Sequence, residues 1–228
     1  MPDLKAGSGG VIYYNLSRGF FRRKSDESNP DAVKRTLEDG TVRHEIVTRG
    51  FEEVIIVDIE KTIKEYKGKK KAVWEVSLLD GEQIKKFTMA VKSSTMSGLM
   101  FSLPNIALEK EVNIVTFLGS DDKTVLWVQQ KDENGTLQAV KRYWTKDNPG
   151  KLPPMEKDEL GDWNSAKQAA YLERYVIKRA KPKMIDYKSI KKNMEAKDTP
   201  PPDLHDSNPN LPPDAPDESL DSTDDLPF

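Results

Sequence analysis

Aromatic and basic residues are interleaved in two short stretches of the chain. VIYYNLSRGFFRRK covers residues 11–24, and AVKRYW covers residues 139–144. Aromatic rings stack on unpaired bases while lysine and arginine follow the phosphate backbone, and each stacked base contributes about 1–3 kcal/mol. This combination predicts a surface that binds single-stranded nucleic acid. The residues predicted to form it are Tyr14, Phe21, Arg22, Arg23, Lys85, Lys86, Lys92, Trp127, Lys141, Arg142, Tyr143 and Trp144.

Residues suited to catalysis or metal binding are scarce by comparison. The chain has no cysteine and two histidines, His44 and His205, so a zinc site would need carboxylates for its remaining ligands. The pairs Glu52-Glu53 and Asp121-Asp122 are adjacent, and neighbouring side chains of a strand point to opposite faces. GSGG at 7–10 lacks the ending of a phosphate-binding loop. We therefore predict no enzymatic activity, no metal site and no cofactor.

Charge is distributed unevenly along the chain. Residues 198–228 hold nine Asp/Glu and no Lys/Arg. Residues 1–197 hold all 36 Lys/Arg and 29 of the 38 Asp/Glu, a formal charge of +7. A basic body followed by an acidic tail suggests that the body binds a polyanion that the tail does not bind. The alternative is a mildly basic domain with a solubilising tail.

The body is predicted to consist mainly of β-strands. Apolar residues alternate in short segments, and Asp80-Gly81 and Asn134-Gly135 are hairpin turn signals. Trp74 and Phe87 are in phase with aliphatic residues of these segments, which predicts core positions for both. The predicted strands are 51–63, 72–79, 83–92, 112–119, 124–130 and 136–144, with further strands at 11–21 and 42–48. A polar loop is expected at 22–40, and residues 93–111 are not strand-like. This spacing predicts a five-stranded Greek-key barrel, the oligonucleotide/oligosaccharide-binding (OB) fold, with extra N-terminal strands.

The pattern changes after residue 155. Residues 162–181 repeat apolar side chains at helical spacing, with Asp162 as the predicted N-cap and Pro182 at the end, and a shorter helix is predicted at 185–196.

Residues 198–228 hold eight of the 15 prolines. A segment so rich in proline and charge is expected to be disordered and extended, and at about 3.1 Å per residue it forms a tether that spans roughly 90–100 Å. We therefore predict three parts: an OB domain with its extension (1–155), a helical appendage (156–197) and a disordered acidic tail (198–228).

The tail closes with DSTDDLPF at residues 221–228. This segment resembles the acidic tip of bacterial and phage single-stranded DNA-binding (SSB) proteins, and the order of basic body, proline-rich acidic linker and tip is similar to theirs. In its length, N-terminal extension and helices after the barrel, the body is similar to the tailed-phage type. The resemblance implies a protein that coats single-stranded DNA without sequence specificity in replication, recombination and repair. It also implies recruitment of a polymerase, helicase, nuclease or recombinase by the tip. The residues that match this tip are Asp224, Asp225, Leu226, Pro227 and Phe228, and Asp221 is predicted to add to the attraction for the partner.

Two other functions are compatible with the same residues. One is a single-stranded RNA-binding or chaperone protein on the same fold, because stacking suits either sugar. The other is an interaction adaptor that binds no nucleic acid. The start MPDLKAGSGG has no signal-peptide pattern, and no apolar run approaches the roughly 18 residues of a membrane span. A cytoplasmic location without membrane partners is expected, in the bacterial host if the protein is phage-encoded, and both monomer and dimer stay open.

Overall fold

The computed structural model describes residues 10–186, except for 38, 67, 120, 121, 158 and 160–162, and the side chains of Tyr66 and Trp163. The predicted tail, the tip residues 221–228 and nearly all of the predicted helix at 185–196 lie outside the described residues. Those predictions stay predictions.

Strands predominate in the described chain, as predicted. Ten of them belong to one mixed sheet: β1 (Val11–Ser17), β2 (Phe20–Ser25), β3 (Val33–Thr36), β4 (Val42–Thr48), β5 (Gly50–Tyr66), β6 (Lys69–Asp80), β7 (Gln83–Ala90), β8 (Val112–Leu118), β9 (Thr124–Lys131) and β10 (Leu137–Ala139). A separate two-stranded sheet pairs β11 (Glu156–Lys157) with β12 (Trp163–Asn164).

The order in the large sheet is β10-β9-β8-β5-β6-β7-β1-β2-β4-β3. Within it, β5, β6 and β7 follow one another, and β8 returns after a long connection to lie beside β5, which is the Greek-key order. The sheet is open, because no ladder between described residues closes it into a barrel. The free edge of β7 is instead occupied by β1, in the sheet's one parallel pairing among these ten strands.

A nearly continuous run of chain connects the two halves of this sheet. Only Arg49 separates β4 from β5. β4 pairs with β2, the start of β5 up to Val54 pairs with β8, and β5 from Ile55 onward pairs with β6, with irregularities between Phe51 and Val54 and between Ile56 and Asp58. Bulges of this kind bend a strand and increase its twist. β5 lies between β8 and β6 in the sheet and pairs with each along a different part of its length.

The N-terminal region differs from its prediction. The segment 11–21 is split by a turn at Arg18-Gly19, where both residues have positive φ, of 51° and 76°. A Cβ on Gly19 would lie 2.8 Å from the Leu118 nitrogen, so glycine is required there for space as well as conformation. The predicted continuous polar loop at 22–40 is wrong, because β2 extends to Ser25 and β3 covers Val33–Thr36 within it. The predicted strand at 136–144 ends at Ala139.

In the described part of the chain, two α-helices accompany the sheet. α1 (Ser94–Met100) is capped by Ser93, whose hydroxyl accepts a hydrogen bond from the Met96 N–H at 3.1 Å. It lies directly on β9: a Cβ on Gly98 would meet the Leu126 carbonyl oxygen at 1.9 Å. α2 (Ala166–Tyr175) begins after Ser165 rather than at the predicted cap Asp162. Within the described chain, no helix has the length and apolar character needed to cross a bilayer.

One hydrophobic cluster contains residues from both the sheet and the helices. Trp74 and Phe87 are fully covered in it, which confirms their predicted core positions. Leu172 and Val176, from α2 and the turn that follows it, belong to the same cluster. The strands and α2 therefore share one core, and outward-facing residues of the strands remain for other roles.

Candidate nucleic-acid interface

Tyr13 is the most exposed aromatic ring on the N-terminal strands. It lies on β1 opposite Lys86 of β7, and 57% of its surface is accessible. The Lys64 ammonium of β5 lies 5.7 Å from the centre of the Tyr13 ring. A cation at this distance is attracted to the ring face. The structure thus places an exposed ring between two lysines that come from different strands.

Glu75 connects the same two lysines. Its carboxylate accepts hydrogen bonds from Lys64 Nζ at 2.5 Å and from Lys86 Nζ at 2.9 Å, and the residue is 7% exposed. Burial by itself would raise the pKa of Glu75, but the hydrogen bonds and charges of the two lysines outweigh it and lower the pKa below its ordinary value. In the opposite direction, the bond to Glu75 outweighs burial and raises the pKa of Lys86. Glu75 and Lys86 are therefore both charged near neutral pH.

A second ring with cations lies on β2. The guanidinium carbons of Arg22 and Arg49 are each 5.3 Å from the centre of the Phe20 ring. Arg22 and Arg35 also approach the buried carboxylate of Glu45, at 3.2 and 3.5 Å. Arginine presents planar donors that suit phosphate oxygens and stacks well on flat rings. This group therefore offers both ring stacking and phosphate binding, the two interactions by which proteins hold single-stranded nucleic acid.

The strand register places these groups on one side of the sheet. Directly paired residues of adjacent strands share a face, and Tyr13 is two and four residues from Asn15 and Ser17, which pair with Arg22 and Phe20. We call this surface the cationic face. It has two rings, five cations and two carboxylates: Tyr13, Phe20, Arg22, Arg35, Arg49, Lys64, Lys86, Glu45 and Glu75.

Three of the predicted stacking residues lie in the core instead. Phe21 is 0% exposed and packs against Phe51, with ring centres 4.5 Å apart, while Tyr14 approaches Phe51 at 5.0 Å. Trp144 is 2% exposed and contacts Tyr175 at 5.1 Å. A base needs a free ring face. The predicted stacking role of Tyr14, Phe21 and Trp144 therefore does not fit this structure, and their covered rings serve packing.

The predicted cations are divided among several places. Arg22 and Lys86 belong to the cationic face. Lys85 is turned to the other side of β7, where it bonds to Asp80 and lies 5.1 Å from the Phe51 ring centre. Arg23 keeps a buried Nε without a hydrogen-bond partner in the described chain. Lys92 is exposed just after β7.

The remaining predicted residues lie on other elements. Trp127 of β9 is 50% exposed and packs edge-on against Phe117 at 4.7 Å, beside the apolar Val115. Tyr143 is exposed in the irregular segment after β10, where its N–H donates to the Phe101 carbonyl at 2.8 Å. Lys141 and Arg142 precede it and are exposed. The structure thus does not gather all predicted residues into one site.

Seven of the nine residues of the cationic face were missing from the predicted site: Tyr13, Phe20, Arg35, Arg49, Lys64, Glu45 and Glu75. Tyr13 and Phe20 are one position away from the predicted Tyr14 and Phe21. The sequence signal for them is weak: Tyr14 shares its phase with Ile12 and Leu16, but Tyr13 shares its phase with Val11, so alternation alone does not decide between the two rings. Lys64 and Arg49 are far away in sequence and reach the rings only through strand pairing.

Comparison with known proteins gives no match to a family model, to a curated protein or to a solved structure. The interface is therefore judged by its geometry and charge.

Proposed function

We propose that the protein binds single-stranded DNA without sequence preference along the cationic face. Exposed Tyr13 and partly exposed Phe20 supply ring surfaces, and Arg22, Arg49 and Lys86 lie beside them. Bases stack on the rings, and backbone phosphates release their counterions to the cations. The observation that carries the proposal is the placement of accessible rings within cation–π distance of arginine and lysine on one side of a sheet.

We propose further that β5 to β9 form an OB-type domain, which β1 to β4 extend. Support comes from the Greek-key order of β8-β5-β6-β7, from β9 beside β8, and from α1 between the third and fourth of these strands. OB domains bind oligonucleotides on the face of their second and third strands, and OB barrels are partly open. Here these strands are β6 and β7, which carry Glu75 and Lys86. The extension would widen that face by adding Tyr13 and Phe20.

In this proposal the protein coats single-stranded DNA during replication, recombination and repair. Residues 221–228 recruit partner proteins, because an acidic segment with an apolar side chain suits a pocket with a cationic rim. The tether keeps this segment near the body at an effective concentration on the order of millimolar, where it competes weakly with DNA.

The role of the tail can be tested by two deletions. Removing residues 198–228 should tighten DNA binding at low salt, and unchanged or weaker binding would refute the competition. Removing Phe228 alone should abolish capture of the partner while DNA affinity stays nearly the same. Equal capture without Phe228 would exclude the recruiting role.

The main test is fluorescence anisotropy of a labelled dT oligomer in dilute buffer, with the full chain. Tyr13→Ala and Phe20→Ala should each weaken binding, whereas the control Tyr143→Ala removes an exposed ring outside the cationic face and should change it less. If the wild-type protein leaves the oligomer free, the proposal is wrong.

The same titration with an RNA oligomer of matched composition separates the alternatives. Tighter binding to RNA would favour the RNA-binding or chaperone function. Absence of binding to either polymer would favour the adaptor.

A further inference from the structure

We propose that Glu75 is a positioning residue that holds Lys64 and Lys86 together as one phosphate cradle beside Tyr13. This inference rests on the proposed binding of single-stranded DNA, and it concerns a carboxylate that at first sight should repel DNA.

Each lysine ammonium uses one donor on Glu75. Lys64 reaches one carboxylate oxygen at 2.5 Å and Lys86 reaches the other at 2.9 Å. An ammonium has three N–H donors. Two donors therefore remain on each lysine, enough for both to bind the oxygens of a single phosphate without leaving Glu75.

The depth of the three side chains favours this arrangement. The side chain of Glu75 is 9% exposed, that of Lys86 17% and that of Lys64 42%. The carboxylate is thus the least accessible of the three groups, with Glu60 of β5 paired opposite Glu75 and Thr88 of β7 on its other side. A phosphate that approaches from solvent therefore meets the lysines before it meets Glu75.

The alternative is that DNA displaces Glu75 from the lysines. Breaking a buried ion pair leaves an uncompensated charge, which is strongly unfavourable. Keeping the pair avoids that cost and also fixes two long side chains before DNA arrives. Immobilising flexible side chains is a main cost of binding, so fixing them in advance strengthens it.

The two possibilities predict opposite signs for Glu75→Gln. This substitution removes one negative charge from the cationic face, so the net charge of the face becomes more positive by one. If Glu75 only repelled phosphate, affinity for a dT oligomer would rise. If Glu75 positions the lysines, affinity falls about two- to tenfold despite the added charge. The slope of log K against log salt should also become shallower by about 0.7, as expected for one lost phosphate contact to a single strand.

Glu53→Gln is the matched control. Glu53 also accepts a hydrogen bond from a lysine, Lys131, at 2.6 Å, but both side chains are more than half exposed and lie outside the cationic face. This control adds the same charge and should leave affinity unchanged or slightly higher, with an unaltered salt slope. Thermal unfolding of both variants reports whether the fold is intact.

Glu75→Asp separates position from charge. It keeps the negative charge but is shorter by one methylene, so it cannot reach both ammonium groups as glutamate does. We expect the same loss of affinity and the same shallower slope, and this variant also serves if Glu75→Gln does not fold. Wild-type affinity in either folded variant, or tighter binding by Glu75→Gln, overturns the inference. If the wild-type protein itself does not bind the oligomer, the proposed function fails first.

Discussion

The hairpin of β1 and β2 has two aromatic layers that differ by one position along each strand. Tyr13 and Phe20 lie in the outer layer with arginine and lysine, whereas Tyr14 and Phe21 lie in the inner layer with Phe51 and Phe87. The residue types are nearly the same in both layers. The neighbours of a ring, and not its residue type, therefore decide whether the ring stabilises the fold or is available for a ligand.

The largest expected effect is on the inner layer. Phe21→Ala removes a ring that is 0% exposed, so the free energy of unfolding should fall by about 3–5 kcal/mol. Denaturant unfolding measures this change. Phe20→Ala, the neighbouring residue in the outer layer, is the control and should cost far less stability. Equal losses in the two variants would remove the distinction between the layers.

The next effect is on the outer layer. Tyr13→Ala should reduce affinity for a dT oligomer by about 1–3 kcal/mol, because one stacked base is lost, while stability changes little. Anisotropy titration and thermal unfolding of the same sample separate the two quantities. If Tyr13→Ala bound DNA as tightly as the wild-type protein, the outer layer would not be the layer that contacts DNA.

A smaller effect is expected for Trp127, an exposed ring on a different strand. Its ring packs edge-on against Phe117 and lies beside Val115, whereas Tyr13 lies beside Lys64. Trp127→Ala should therefore weaken DNA binding less than Tyr13→Ala in the same titration. A greater loss for Trp127 would move the interface to β8 and β9.

Arg49→Ala tests the cations without removing a ring. If Arg49 contacts one phosphate, the slope of log K against log salt should become shallower by about 0.7 for a single strand. The measurement is a series of titrations at increasing salt. Arg174→Ala removes an exposed arginine of α2, outside the cationic face, and serves as the control. Identical slopes for wild type and Arg49→Ala would take Arg49 out of the interface.

The smallest effect concerns pH. The pKa of Glu75 is lowered in the folded protein, so its contribution to stability is present above the ordinary value of about 4.5 and is lost as pH falls through the folded pKa. Wild-type protein should therefore lose more stability on acidification below pH 4.5 than Glu75→Gln. Urea unfolding at several pH values measures this difference. Parallel curves would show that the two lysines do not stabilise the charged carboxylate.

Much of the central sheet could be predicted from local pattern. Alternation located the strands now seen as β5 to β9, and Asp80-Gly81 marked the turn between β6 and β7, where Gly81 has a φ of 56°. Trp74 and Phe87 were placed in the core because they share a phase with aliphatic residues. These features depend on neighbours within a few residues, and sequence alone contains that information.

The phase of β1 could not be predicted in the same way. Both of its faces carry apolar or aromatic side chains, so alternation alone did not distinguish Tyr13 from Tyr14. Which of the two rings faces the core depends on the pairing of β1 with β7, more than 70 positions away. Because β1 occupies this edge of β7, the edge is not available for the strand pairing that would close a barrel. The short strand β3 was missed because its residues Val33–Thr36 are mostly polar and exposed.

The sequence by itself determined the charge asymmetry, the predominance of strands and the local turns, because each of these depends on composition or on adjacent residues. Only the tertiary structure decided which rings face outward and which cations reach them. Lys64, Glu75 and Lys86 meet because three strands pair in one register, and Tyr13 joins them through a fourth. Such contacts depend on long-range pairing, in which a shift of one residue would turn every side chain to the opposite face.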